Sequence, residues 1–180
     1  KEFDLEKARY SMNNMLGPDV SLFRIFAVDS ESHARFTATA RTYKYFISSI
    51  KDPFKAETAW KVSFDLDLDA MNQACQYLFD YEDFTSFSKL HTDVKTNNCK
   101  IEKAVWEQSG TSIVFTIKAD RFLRNMVRAV VGTMIEIGRG KIGPEDIKKI
   151  IENKDRGLAG ASVPGYGLFL HKVDYPEGVV

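Results

Sequence analysis

Apolar positions recur at two periods along this chain, and the switches between them lay out its elements. Leu5, Ala8, Met12 and Met15 follow Asp4 at helical spacing, so a helix capped by Asp4 is expected, stopped by Gly17-Pro18. Val20 to Val28 is rich in β-branched and aromatic residues and reads as a strand. His33 to Ile50 reads as extended and is long enough to be two pieces. Asp67-Leu68-Asp69 opens a helix in which Met71, Ala74, Cys75, Leu78 and Phe79 form a core-facing stripe. Ile101 to Glu107 and Thr111 to Ala119 make a hairpin around Gln108-Ser109-Gly110, with Ile113, Phe115 and Ile117 on its buried side. Arg121 to Gly138 is apolar around most of its circumference, as in a helix buried between layers. Gly143-Pro144-Glu145-Asp146 starts another helix, with Ile147, Ile150 and Ile151 on its apolar side. After a loop from Gly157 to Gly165, Gly167 to Tyr175 closes the chain as a strand. Strands from distant parts of the sequence, mixed with helices, predict an α+β fold with helices over one face of the sheet.

Size and charge narrow the picture. A chain of 180 residues fits one domain or slightly more. Residues 1–30 read as the tail of a preceding subdomain and 31–180 as the main unit, so the chain is expected to be a fragment. With 44% hydrophobic and 28% charged residues, a packed core is expected rather than disorder. The net charge of zero argues against a generic polyanion binder, so any RNA surface requires positive charge gathered on one side. Cys75 and Cys99 are too few for a disulfide framework or a zinc site, and Cys75 falls on the apolar side of its helix. His33, His91 and His171 show no paired ligand spacing, so no metal site is expected. No signal peptide and no apolar run long enough for a bilayer occurs, which places the expected location in the cytoplasm, away from membranes.

The chemistry concentrates in two places. In His33–Ile47, read as extended, Phe36, Ala38, Ala40 and Phe46 share one face, and Arg35, Arg41, Tyr43 and Tyr45 share the other. Guanidinium groups beside phenol rings suit RNA, since cations meet phosphates and flat rings stack on unpaired bases. A solvated strand face is the plainer reading of the same residues. On the buried helix, Arg121, Arg124 and Arg128 stand at i, i+3 and i+7 and are expected on one side. Solvent or phosphate satisfies the first two. Arg128 lies deeper and calls for an anion, either Glu136 or an aspartate in a core-edge ion pair, or a partner in a catalytic site.

Four segments in order, HARFTATARTYKYFI (from His33), DFTSFSK (from Asp83), FLRNMVRAVVGTMIEIGRGK (from Phe122) and GLFLHKVDYP (from Gly167), resemble the tRNA pseudouridine synthase A family. The resemblance runs nearly the whole length. It implies a mixed, mainly antiparallel pseudouridine synthase sheet and conversion of uridine to pseudouridine in the tRNA anticodon arm. It also implies a homodimer whose two copies jointly form the RNA clefts. In the family an aspartate detaches uracil from the ribose C1′, and the turned base rejoins through C5 without metal or cofactor. By resemblance, Tyr43 is the flat partner of the extruded base. Arg128 pairs with the catalytic aspartate and keeps it ionised and oriented.

The remaining candidates carry two readings each. Arg35 and Arg41 suit phosphate or structural contacts, or stay solvated. Tyr45 packs or hydrogen-bonds behind Tyr43. Leu168 walls the uracil pocket or simply fills the core. Lys89, Lys95 and Lys100 grip tRNA or stay in water, and Asp83, Asp120 and Asp174 read as caps or turns. The family's Gly-Arg-Thr-Asp segment, which bears its nucleophile, has no counterpart in these residues. The chain by itself is therefore expected to be inactive. The alternatives are a non-catalytic RNA-binding module and an assembly domain.

Overall fold

The computed structural model describes residues 4–89 and 96–179. His91 and Lys95 lie outside the described residues. The chain forms two units, one running through Thr37 and taking in the residues from Pro176, the other spanning Ala38–Tyr175.

The first unit contains helix α1, Leu5–Met15. Asp4 caps it by accepting a hydrogen bond from the Lys7 amide at 3.0 Å. No residue of α1 is buried, and Met15 is 86% exposed. The stripe that predicted the helix is therefore not a core face here. Val20 to Val28 forms no strand, contrary to expectation. β-propensity describes fitness for a pleated surface and supplies no ladder. Instead the Asn13 side-chain amide takes both the N–H and the C=O of Leu22, at 2.8 Å each. His33 to Thr37 is a turn rather than strand: the His33 Nδ1 accepts from the amides of Arg35 and Phe36, and Thr37 Oγ1 accepts from the His33 amide. The extended run thus starts later than its composition suggested.

The second unit is built on a five-stranded sheet. Its strands are β1 (Ala40–Ser48), β2 (Trp60–Lys61), β3 (Ile101–Ser109), β4 (Ser112–Ala119) and β5 (Leu168–Asp174). β1 is central. One of its edges pairs with β4, which pairs with β3, and its other edge carries β5 along Ala40–Tyr45 and β2 beyond. Only β1–β2 is parallel, so the sheet is mixed and mainly antiparallel. The β3–β4 hairpin turns at Gly110, whose φ of 56° gives the left-handed start that a two-residue turn needs.

Helices α2 (Leu68–Tyr77), α3 (Met126–Gly138) and α4 (Asp146–Asn153) cover one face. Antiparallel neighbours share a face, so Tyr45 and Ile47 join Ile113, Phe115 and Ile117 beneath the helices. Met71, Ala74, Cys75 and Leu78 complete this core from α2, as its stripe predicted. Phe79 does not: the helix tightens into a 3-10 turn at Leu78–Asp80, and Phe79 turns out to 42% exposure. Both thiols are buried, and burial pushes Cys75 up to about 12 and Cys99 to about 11, so they act as packing groups. Every residue of α3 is buried except Arg128 and Glu136.

Candidate active site at Tyr43 and Arg128

α3 begins at Met126, preceded by Asn125 in the left-handed region with φ 69°. Arg121 and Arg124 therefore precede the helix and do not share a helical face with Arg128, as their spacing had suggested. A non-glycine left-handed residue breaks the i, i+3, i+7 register on which that expectation rested. The segment they occupy lies instead against the end of the β1–β4 ladder. Asp120 there accepts the amides of Lys100 and Arg121 on its Oδ1, at 2.8 and 2.7 Å. Arg41 donates through Nη1 to the carbonyls of Ala38 and Asp120, at 2.9 and 2.8 Å. The Lys89 amide donates to the Arg124 carbonyl at 3.1 Å. Arg41, Lys89, Lys100, Arg121 and Arg124 are thus gathered at one end of the sheet, which a neutral chain needs if it is to attract a polyanion.

Tyr43 and Tyr45 both point toward the helices, not to open solvent. Tyr43 is half-buried, and Phe122 meets it edge-to-face with centroids 5.2 Å apart and planes at 89°. That contact fixes the plane of the Tyr43 ring. Tyr45 is completely buried, and its hydroxyl donates to the Pro164 carbonyl at 2.9 Å. Burial first, and then the neighbouring Tyr166, push its phenol well above the ordinary range, with Arg128 opposing them. Leu168 pairs with Tyr45 across the β1–β5 ladder and is half-buried. Further along, a bulge opens between Thr42 and Tyr43. Arg35 belongs to the other unit, where its guanidinium lies over the Phe36 ring at 5.4 Å.

Arg128 is half-buried, and its Nε donates to the Val163 carbonyl at 2.6 Å. Glu136 does not answer it, since it pairs with Lys141 at 2.8 Å. Nor do the three aspartates that sequence reading set aside. Asp83 accepts from Thr85 and pairs with Lys154, which hold its carboxyl below the usual range. Asp120 closes its turn, and Asp174 pairs with Lys118 and Lys172 rather than capping. Among the described residues no carboxylate lies within ion-pair distance of Arg128. A guanidinium offers five N–H donors, so with Nε committed its outer fork remains available for a planar anion.

What holds Arg128 was not legible in the sequence, where residues 157–165 read only as a loop. This stretch runs along α3. The Gly160 amide donates to Thr133 Oγ1 at 2.8 Å, and Ser162 Oγ accepts from Asn125 Nδ2 at 2.6 Å and Arg156 Nη2 at 3.0 Å. The Val163 amide donates back to the Arg128 carbonyl at 3.3 Å. The density of Gly and Pro between Gly157 and Gly167 was the available signal, since small residues let backbones approach closely. A separate cleft of about 590 Å³, lined by Phe46, Val114, Phe169 and His171 among others, opens on the opposite face of the sheet and includes neither Tyr43 nor Arg128. Among the described residues no helix is long and apolar enough to cross a membrane.

Comparison with known proteins bears on this arrangement directly. The family model described as tRNA pseudouridine synthase matches residues 74–176, which takes in β3, β4, α3, α4 and β5. The chain is 56% identical to the tRNA pseudouridine synthase A of Parabacteroides distasonis, over 97% of this chain and 69% of that protein. It is 52% identical to the protein of the same name from Bacteroides fragilis, over 98% of this chain and 70% of that one. A more distant relative, from Bacillus licheniformis, is 38% identical over 92% of this chain and 68% of its own length. With the family model spanning more than half of its length, the chain belongs to the tRNA pseudouridine synthase family.

Proposed function

We propose that this protein isomerises uridine to pseudouridine in the anticodon arm of tRNA, with its nucleophilic aspartate supplied by sequence outside these 180 residues. The observation that carries the reading is Arg128, a half-buried cation whose fork meets no carboxylate among the described residues. In the reaction the C1′–N1 bond breaks, the base turns, and a C1′–C5 bond forms. The hydrogen at C5 leaves as a proton and N1 takes one up, so nothing is gained or lost overall. The aspartate carboxylate seats on the Arg128 fork, which holds it ionised. Tyr43, steadied by Phe122, receives the extruded uracil ring. Leu168 walls the pocket. Lys89, Arg41, Arg121 and Arg124 hold the phosphate backbone, and Arg35 is a further candidate for phosphate contact. On this reading residues 1–30 are the tail of an N-terminal subdomain, and 31–180 form the C-terminal catalytic and RNA-binding one. The setting is cytoplasmic, and the working species is a homodimer.

The experiment is tritium release from tRNA labelled at uracil C5. It compares the 180-residue chain with the same chain extended upstream in its gene. Release by the extended chain alone, from a species of dimer mass by light scattering, is the expected result. Release by the 180 residues alone overturns the assignment of the nucleophile. Silence from both, with the extended chain folded, replaces the synthase with an RNA-binding module.

Tyr43→Ala gives a second expectation. Stacking on one base contributes about 1–3 kcal/mol, so tRNA affinity should fall roughly five- to a hundred-fold. The slope of affinity against salt should not change, because tyrosine displaces no counterions. Filter binding across a salt series reads both. Unchanged affinity would favour a purely structural domain.

A further inference from the structure

We infer that Tyr45 is a positioning residue, which acts through the Pro164 carbonyl to hold the strap that aims the Arg128 guanidinium. This rests on the function proposed above, because it assigns a role relative to Arg128.

The strap is residues 156–167, and it is fastened at successive points. Arg156 donates through Nη1 to the carbonyls of Ala159 and Gly160, at 3.2 Å each, and so fixes the curl with which the strap starts. Gly160 and Ser162 are tied to Thr133 and Asn125 as described. Val163 is bonded to Arg128 in both directions, backbone to backbone and carbonyl to Nε. The next peptide carbonyl, that of Pro164, takes the Tyr45 hydroxyl. Beyond it, Gly167 lies so close to β1 that a Cβ there would stand 3.0 Å from both the Tyr45 Cζ and the Phe46 carbonyl oxygen. The strap therefore rests on the Tyr45 ring and is bonded to its hydroxyl immediately after the residue that fixes Arg128.

Geometry also excludes the other role for Tyr45. Its side chain is fully buried, so neither base nor phosphate reaches it. Arg128, by contrast, has one N–H committed to the strap and its fork free of carboxylates among the described residues. Where Nε is pinned, the direction of the fork is set. A carboxylate bound by two parallel N–H donors tolerates little rotation, and a displacement of about 1 Å at a catalytic group can cost about a hundredfold in rate.

The test uses Tyr45→Phe, which removes one oxygen and keeps the ring that supports Gly167. In the 180-residue chain, hydrogen exchange at Arg128 Nε is read by nitrogen-edited NMR, which needs no catalysis. Slow exchange in the native chain, lost in the variant, is expected. In the upstream-extended chain, Tyr45→Phe should lower kcat about ten- to a hundredfold with KM for tRNA unchanged. Added to Arg128→Ala, it should lower single-turnover rates no further, since a group that acts only through Arg128 has nothing left to aim. Unaltered exchange, unaltered kcat, or an equal loss in both backgrounds overturns the inference. A silent Arg128→Ala would instead overturn the function on which it rests. Should Tyr45→Phe fail to fold, Gly167→Ala, which pushes a methyl against Tyr45, is read in the same way and has the same expected outcome.

Discussion

Arg128→Ala, made in the upstream-extended chain, is expected to lower turnover at least about a hundredfold while tRNA affinity stays near its native value. The size follows from what the guanidinium does. Preorganised donors aimed at a reacting anion are commonly worth about a hundred- to a thousandfold in rate. Binding energy, on the function proposed above, would come from the separate cluster of Lys89, Arg41, Arg121 and Arg124 at the end of the sheet, which the substitution leaves alone. Some stability is lost as well, because the Val163 carbonyl gives up the Nε–H that now satisfies it, at a cost of about 1–3 kcal/mol. A thermal melt separates that loss from the catalytic one. Arg128→Lys should recover little. Lysine keeps the charge but has neither the Nε–H that meets Val163 nor a planar fork for a carboxylate.

A pH profile sharpens the expectation. A cation beside a carboxylate depresses its pKa by about 1–3 units, so removing the cation lets the pKa rise. The acidic limb of the rate profile in Arg128→Ala should move to higher pH, with residual turnover recovering as pH increases. Near-native turnover, or a deficit independent of pH, would overturn the place proposed for Arg128 beside the aspartate.

Gly132→Ala should lower the melting temperature of the 180-residue chain by about 2–8 °C. Helix propensity alone predicts the opposite, since alanine stabilises a helix interior by about 1 kcal/mol over glycine. Packing decides the sign. A Cβ at Gly132 runs into the backbone carbonyl of Ala161, which is main chain and cannot swing aside as a long side chain would. From the other side, a Cβ at Gly160 would come within 2.6 Å of the Gly132 carbonyl carbon. Relief requires lifting the strap from α3, which breaks the Gly160–Thr133 bond and loosens those of Val163 to Arg128. Overpacking a tight contact costs about 1–3 kcal/mol and sometimes more, enough to exceed the propensity gain. An unchanged or higher melting temperature would mean that the strap has slack, and the aim of Arg128 would then need another explanation.

The sequence by itself determined the elements whose periodicity is long and strong. α2, α4 and the β3–β4 hairpin stand where their apolar patterns put them, because each pattern records a face that must leave water. It also determined the family, through ordered motifs rather than any one residue. It marked Arg128 as anomalous, since a cation in so apolar a stretch needs an explanation from chemistry alone. Tertiary structure decided what local pattern cannot carry. Val20 to Val28 has strand composition, yet a strand exists only where another strand completes its hydrogen bonds. Arg121 and Arg124 keep helical spacing to Arg128, yet one left-handed residue, Asn125, removes them from the helix. The alternation that put Tyr45 beside Tyr43 was correct about direction. Which direction faces the core depends on where α2, α3 and α4 settle, and that is a long-range fact. The clamp on Arg128 is longer-range still. It joins Tyr45 to Pro164 and Arg128 to Val163, residues far apart in the chain, through bonds to backbone carbonyls, and a carbonyl carries no signature of its residue type.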